Sequence, residues 1–131
     1  MRTTTFTLHG KTYHLCLNAA ALFAIYDRFP EAESIAEPLA VAGKRGFEAV
    51  CAYLSILGTQ GELVRRFEGY DKGEMPTEGY FRAMLSPLDD VTARAAIRRA
   101  IDLGLQELNS KKAPPASHGL NILTMLRTLL G

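Results

Sequence analysis

The sequence is short of nearly everything that announces a chemistry. It holds two cysteines, Cys16 and Cys51, too few for a disulfide scaffold. The opening stretch from Met1 to Leu8 is threonine-rich and lacks the apolar core of a secretion signal, so two reduced, packed thiols are expected rather than a bridge. Its three histidines, His9, His14 and His118, have no second His, Cys or carboxylate at a metal-ligand spacing, so neither a metal nor a cofactor is expected. Charge of one sign is lacking too. Fifteen Lys and Arg stand against fourteen Asp and Glu, a formal net charge of +1, which leaves no whole-chain field to draw in nucleic acid or an acidic membrane. Long apolar runs are absent, and the short ones are broken by charge, so no segment spans a bilayer. There is no internal repeat and no low-complexity tract. These absences point to a soluble protein of the cytoplasm.

The catalytic candidates also have structural explanations. Gly58-Thr-Gln-Gly61 is not a phosphate-binding loop, because no Lys-Ser or Lys-Thr follows it. Cys51 lies on an apolar stripe and reads as a small core residue rather than a nucleophile. Asp89 and Asp90 sit where a helix begins and are explained by its dipole. No acid–base pair stands out among the carboxylates. The expectation is a protein that is not an enzyme, with no catalytic residue.

What is present is one domain's worth of core, with 47% hydrophobic residues in a chain of 131. Residues from Thr3 to Leu17 alternate around His9-Gly10, a two-residue turn candidate. Closing there pairs Leu8 with Lys11, Phe6 with Tyr13 and Thr4 with Leu15. One face then carries Phe6, Leu8, Tyr13 and Leu15; the other carries Thr3, Thr5, Thr7, Thr12, an exposed His14, and Cys16. A slip of one residue would mix the two sets, so the register is specified. The hairpin is too small to stand alone and needs helices to cover its apolar face.

Asn18 is placed to cap a helix that carries Leu22, Ile25, Tyr26 and Phe29 and stops at Pro30. Ser34-Ile-Ala-Glu37 reads as a capping box, shortened by Pro38. Gly43-Lys-Arg-Gly46 reads as a basic turn, followed by a stripe of Phe47, Val50, Cys51, Leu54 and Leu57 that ends at Gly58. A further turn or two carries Leu63, Val64 and Phe67 to about Gly69. Tyr70 to Thr77 is a surface loop. Thr77 caps a short helix with Tyr80, Phe81, Met84 and Leu85 inward. Ser86-Pro87-Leu-Asp89-Asp90 is the strongest helix start, combining an N-cap Ser, Pro at the first position and two carboxylates at the positive end of the dipole. That helix is expected to reach about Leu108, burying Val91, Ile97, Ile101, Leu105 and Leu108, with Arg94, Arg98, Arg99 and Glu107 mainly outside. The fold class is therefore α+β, mainly α: an N-terminal β-hairpin and a domain of about five helices over residues 1–108.

Residues 109–119, rich in Lys, Pro, Ser and Gly, read as a linker. Residues 120–131 follow as an apolar C-terminal helix, docked on its own domain or on a partner. The candidate partner-binding residues are Leu120, Ile122, Leu123, Leu126, Leu129 and Leu130, a concentration of apolar side chains unsuited to bare water.

The opening Phe6-Thr-Leu8-His-Gly10-Lys11-Thr-Tyr13-His-Leu15, leading into Asn18 to Phe29, resembles the tail assembly chaperones of long-tailed, siphovirus-like phages and prophages. Members begin with a strand, a Gly-Lys turn, a second strand and a helix, and continue as small helical domains; the likeness covers Thr3 to about Leu108. It implies a non-enzymatic protein that binds the tape-measure protein, and tail-tube subunits in some cases, in the bacterial host cytoplasm. It also implies a longer product made by ribosomal frameshifting, with which Lys111-Lys112 is compatible. Self-association into a homo-oligomer is compatible with the apolar end. Two other roles compete: a structural virion component of the tail or head–tail connector, and a small nucleic-acid-binding regulator using Arg94, Arg98 and Arg99 with Lys44 and Arg45. The near-zero net charge makes nucleic acid the weaker alternative.

Overall fold

Residues 2–112 are described in the computed structural model, with side chains as far as Glu107. A hairpin of β1 (Thr4–Leu8) and β2 (Lys11–Leu15) is followed by α1 (Ala19–Arg28), α2 (Glu37–Ala40), α3 (Lys44–Phe67), α4 (Glu78–Met84) and α5 (Pro87–Lys112). The class is α+β, mainly α, as the pattern of the sequence implies.

The hairpin has the expected register: Leu8 opposes Lys11, Phe6 opposes Tyr13, and Thr4 opposes Leu15. His9 and Gly10 both have positive φ, 50° and 79°, the pair of values a type I′ turn demands. Phe6, Leu8, Tyr13 and Leu15 are buried on one face. Cys16 departs from the expected alternation. β2 ends at Leu15, the chain turns onto α3, and the Cys16 amide donates to the Leu57 carbonyl at 3.1 Å, so Cys16 is buried rather than on the outer face. His14 is half-buried rather than exposed.

α1 begins and ends as its sequence indicates. The Asn18 side chain accepts from the Ala21 amide at 2.9 Å, and Leu22, Ile25 and Tyr26 face inward. The capping box at Ser34 does not form. α2 starts at Glu37 with Pro38 in its first turn and has no side-chain cap; the Glu37 carboxylate instead accepts from the Glu33 amide at 3.2 Å. This segment is fastened to the core by Tyr53, whose buried hydroxyl donates to the Ile35 carbonyl at 2.6 Å.

α3 is the largest correction. It is one helix of 24 residues: Lys44, Arg45 and Gly46 belong to its first turn, and it runs on through Gly58 and Gly61. Those glycines are points of close approach rather than stops. A Cβ at Gly58 would meet Pro76 Cγ at 2.7 Å, and one at Gly61 would lie 1.8 Å from the His14 carbonyl oxygen. The helix does end near Gly69. Gly69 has φ 93°, its amide reaches the Arg66 carbonyl and the Tyr70 amide reaches the Arg65 carbonyl, the two bonds of a Schellman motif.

Thr77 caps α4 through the Tyr80 amide, and Phe81 is fully buried between Phe6 and Tyr13, but Met84 faces solvent. At the start of α5 the Ser86 hydroxyl accepts from the Asp89 amide at 3.1 Å and the Asp89 carboxylate accepts from the Ser86 amide at 3.0 Å. The buried stripe of α5 is Ala93, Ala96, Ile97, Ala100 and Ile101; Val91, expected inside, is 63% exposed. Small side chains there let α5 lie close to the hairpin and α3, and Gly104 passes against the Leu17 backbone. α5 extends to Lys112, four residues beyond the expected end at Leu108. The rest of the proposed linker, and the candidate residues Leu120, Ile122, Leu123, Leu126, Leu129 and Leu130, lie outside the described residues. Among the described residues no helix is long and apolar enough to cross a membrane.

Candidate functional site

Two concavities and an exposed apolar face among the described residues could engage another molecule. The larger concavity, about 430 Å³, lies between β2 and the C-terminal half of α3; Lys11, Tyr13, His14, Glu62, Arg65 and Glu74 are among its lining. β2 brings Lys11, Thr12, Tyr13 and His14 to its wall, Gly61 lets the His14 carbonyl approach the helix, and Gly58 receives Pro76 of the loop. At its floor is Glu62, 6% exposed, whose carboxylate accepts from Arg65 and Arg66 at 2.8 Å each and from the Gly73 amide at 2.6 Å. Burial opposes ionisation of Glu62, but the Gly73 amide and the two guanidinium groups together outweigh it and hold the carboxyl below its ordinary range. A carboxylate held so firmly in its charged form is a fastener for the loop of residues 70–77, not a proton donor near neutrality. Burial, then the Arg65 charge, lowers the His14 pKa, which favours the neutral ring. Lys11 is joined to Glu74 at 2.6 Å. The charges of this groove thus meet partners within it.

The second concavity, about 360 Å³, is bordered by Arg28, Phe29, Pro38, Val41 and Arg45. Arg28 is directed away to Glu78 at 3.2 Å. Of the basic residues considered for nucleic acid, Arg94 is half-buried, paired with Asp90 at 2.9 Å and bonded to the Leu39 carbonyl, whereas Arg98 and Arg99 are exposed.

Both thiols are free and buried, and burial is the leading cause that pushes each up to about 11. Neither is a thiolate at neutral pH. Among the described residues no three His, Cys, Asp or Glu side chains come close enough to hold a metal ion.

The exposed apolar side chains remain. Leu88 and Val91, one turn apart on α5, are 76% and 63% exposed, and Phe67 and Tyr70 stand out at the end of α3. Reading along the sequence assigned Val91 and Met84 to the core and passed over Leu88. The signal that could have found them is the row of alanines. Ala93, Ala96 and Ala100 lie on the same helical face as Ile97 and Ile101, which turns Leu88 and Val91 to the opposite side. A leucine and a valine side by side in water on the outer face of α5 are suited to an apolar partner surface. Compared with models of known protein families, with curated proteins and with solved structures, the chain matches none.

Proposed function

We propose that this protein is a non-enzymatic tail assembly chaperone of a long-tailed phage or prophage, acting in the host cytoplasm to hold the tape-measure protein while the tail is built. The observation that carries this reading is the order of its parts: a tight β-hairpin with a Gly-Lys turn, a capped helix, and a small helical body. The apolar side chains Leu88 and Val91 on the body, and the leucine-rich sequence from Leu120 to Leu130, suit a client that is long, helical and apolar in places. Tail-tube subunits are a second client of the same kind.

The test is co-expression with the tape-measure protein encoded beside it. The chaperone reading expects the client to stay in solution and to co-purify with this chain, and expects the chain to be missing from finished particles. A client that behaves identically with and without it, or stoichiometric presence of the chain in purified particles, overturns the reading.

A further inference from the structure

We propose that, in the chain free of a client, the apolar segment from Leu120 to Leu130 folds back onto the C-terminal end of α3 and covers Leu63, Val64 and Phe67. The inference does not depend on which client the chain binds.

The last turns of α3 carry an apolar stripe that the core does not use. Gln60, Leu63, Val64 and Phe67 fall at i, i+3, i+4 and i+7, one helical face. Leu63 and Val64 are half-buried, and Phe67 is 90% exposed. Among the described residues, none of the three belongs to the buried cluster or to the side chains packed against it. A single exposed apolar residue is ordinary, but three on one face make a patch suited to being covered.

Contacts at two levels show where that patch lies. Near the start of α3, a Cβ at Gly46 would stand 3.2 Å from Arg94 Nη2 of α5. Farther along, residues 16–18 tie the same two helices together. The Cys16 amide bonds the Leu57 carbonyl, Asn18 Nδ2 donates to Gln60 Oε1 at 3.1 Å, and Leu17 lies against Gly104. α3 and α5 therefore run in the same direction and end on the same side of the molecule. From Gln60, α3 rises about 10 Å to Phe67, and from Gly104, α5 rises about 12 Å to Lys112. Gln60 faces Asn18, and Phe67 follows two turns on along that face, so the stripe is turned to the side where Leu17 and α5 pass.

The same geometry points to the occupant. α5 reaches Lys112 at this end of the molecule, and residues 113–119 then separate it from Leu120. A linker of that length spans up to about 23 Å, whereas packed helices have axes about 8–10 Å apart, so the stripe is within easy reach. The segment matches the stripe in kind. Ile122, Leu126, Leu129 and Leu130 share one face at helical spacing, and Arg127 is the only charged residue between Leu120 and Leu130. A short tether holds such a segment at an effective concentration on the order of millimolar, which favours it over a second copy at ordinary protein concentrations. Leu88 and Val91 lie at the opposite end of α5, about 30 Å back along its axis and farther than the linker alone spans, so they stay open to a client.

The experiment uses the full chain alone. Phe67→Cys combined with Leu126→Cys is oxidised at low protein concentration and read by non-reducing electrophoresis and mass spectrometry; Cys16 and Cys51 are buried and stay out of the reaction. A bridge within one chain is expected. Gln106→Cys with Leu126→Cys is the control, because Gln106 is exposed on α5 and nearer the tether, where an undocked segment would bridge more readily. Independently, Phe67→Ser is expected to lower the melting midpoint by a few degrees, although the side chain is 90% exposed and the two residues have similar helix propensity. In a chain already carrying Leu126→Ser and Leu129→Ser, the same change is expected to have no further effect. A bridge between two chains, or one formed as readily at Gln106, overturns the proposal. So does a Phe67→Ser midpoint equal to the wild type, or a loss that Leu126→Ser and Leu129→Ser leave undiminished.

Discussion

At the scale of single residues, two positions show what a linear reading can and cannot reach. His9-Gly10 is legible because everything that identifies it is local: alternation on either side, and a residue free to take positive φ. Gly10→Val forces a β-branched side chain to φ 79° and should cost at least about 1–2 kcal/mol, visible as a lower melting midpoint. Glu62 is not legible. Its helix neighbours Arg65 and Arg66 suggest an ordinary surface pair, and nothing in the sequence announces the Gly73 amide eleven residues on, which makes it a buried fastener. Glu62→Gln keeps the shape and removes the charge, and should cost about 2 kcal/mol in denaturant unfolding. The pH dependence has a definite sign. The folded carboxyl titrates below its ordinary value of 4.5, so its contribution is complete above 4.5 and is lost as the pH falls through the folded value. Wild type and Glu62→Gln should therefore converge in stability under acid. A lowered His14 pKa acts in the same direction from its ordinary 6.5 downward, since protonation favours the unfolded chain. Melting midpoints measured across that range check both statements.

At the scale of elements, glycine punctuation explains the principal misreading. Gly58 and Gly61 interrupt an apolar stripe, and a stop and a close approach look alike when only the chain is in view. The strand that presses on Gly61 comes from His14, nearly fifty positions earlier, and no local pattern predicts it. A matched pair of substitutions separates the two roles. Gly61→Ala should destabilise by about 1–3 kcal/mol or more although alanine is the better helix former, because its Cβ would meet the His14 carbonyl. Gly79→Ala in α4 meets nothing within 4 Å and should be stabilising by up to about 1 kcal/mol. Equal effects at the two sites would show that α3 does not pack against β2 in this way. The start of α5 was legible for the reason that Gly10 was, since caps are local. Ser86→Ala should cost about 1 kcal/mol, measurable by denaturant unfolding, through loss of the bond to the Asp89 amide. The inner face of that helix was not legible. Ranking residues by hydrophobicity favoured Val91 over Ala93, whereas the tight approach of α5 to the rest of the core admits the smaller side chain.

At the scale of the whole molecule, the question is which parts are needed to fold and which are spare for a partner. The buried cluster of the described residues begins at Phe6 and ends at Ile101, with Leu105 packed against it. It joins the hairpin, α1, α3, α4 and α5. The candidate partner residues, from Leu120 to Leu130, lie outside the described residues, and their apolar content is available either to this core or to a client. Burying four such side chains, Ile122, Leu126, Leu129 and Leu130, is worth roughly 1.5–3 kcal/mol each, ample to drive docking on a client. Deleting residues after Lys112 separates the roles. If the apolar end serves the client, the truncated chain should melt cooperatively near the wild-type midpoint and lose the tape-measure protein. If the apolar end is part of the core, the midpoint should fall steeply instead, by several kcal/mol of stability, whatever the client does. Melting, light scattering and co-purification on one truncated protein decide the matter, and a collapse of the fold would sink the client-binding role of Leu120, Ile122, Leu123, Leu126, Leu129 and Leu130.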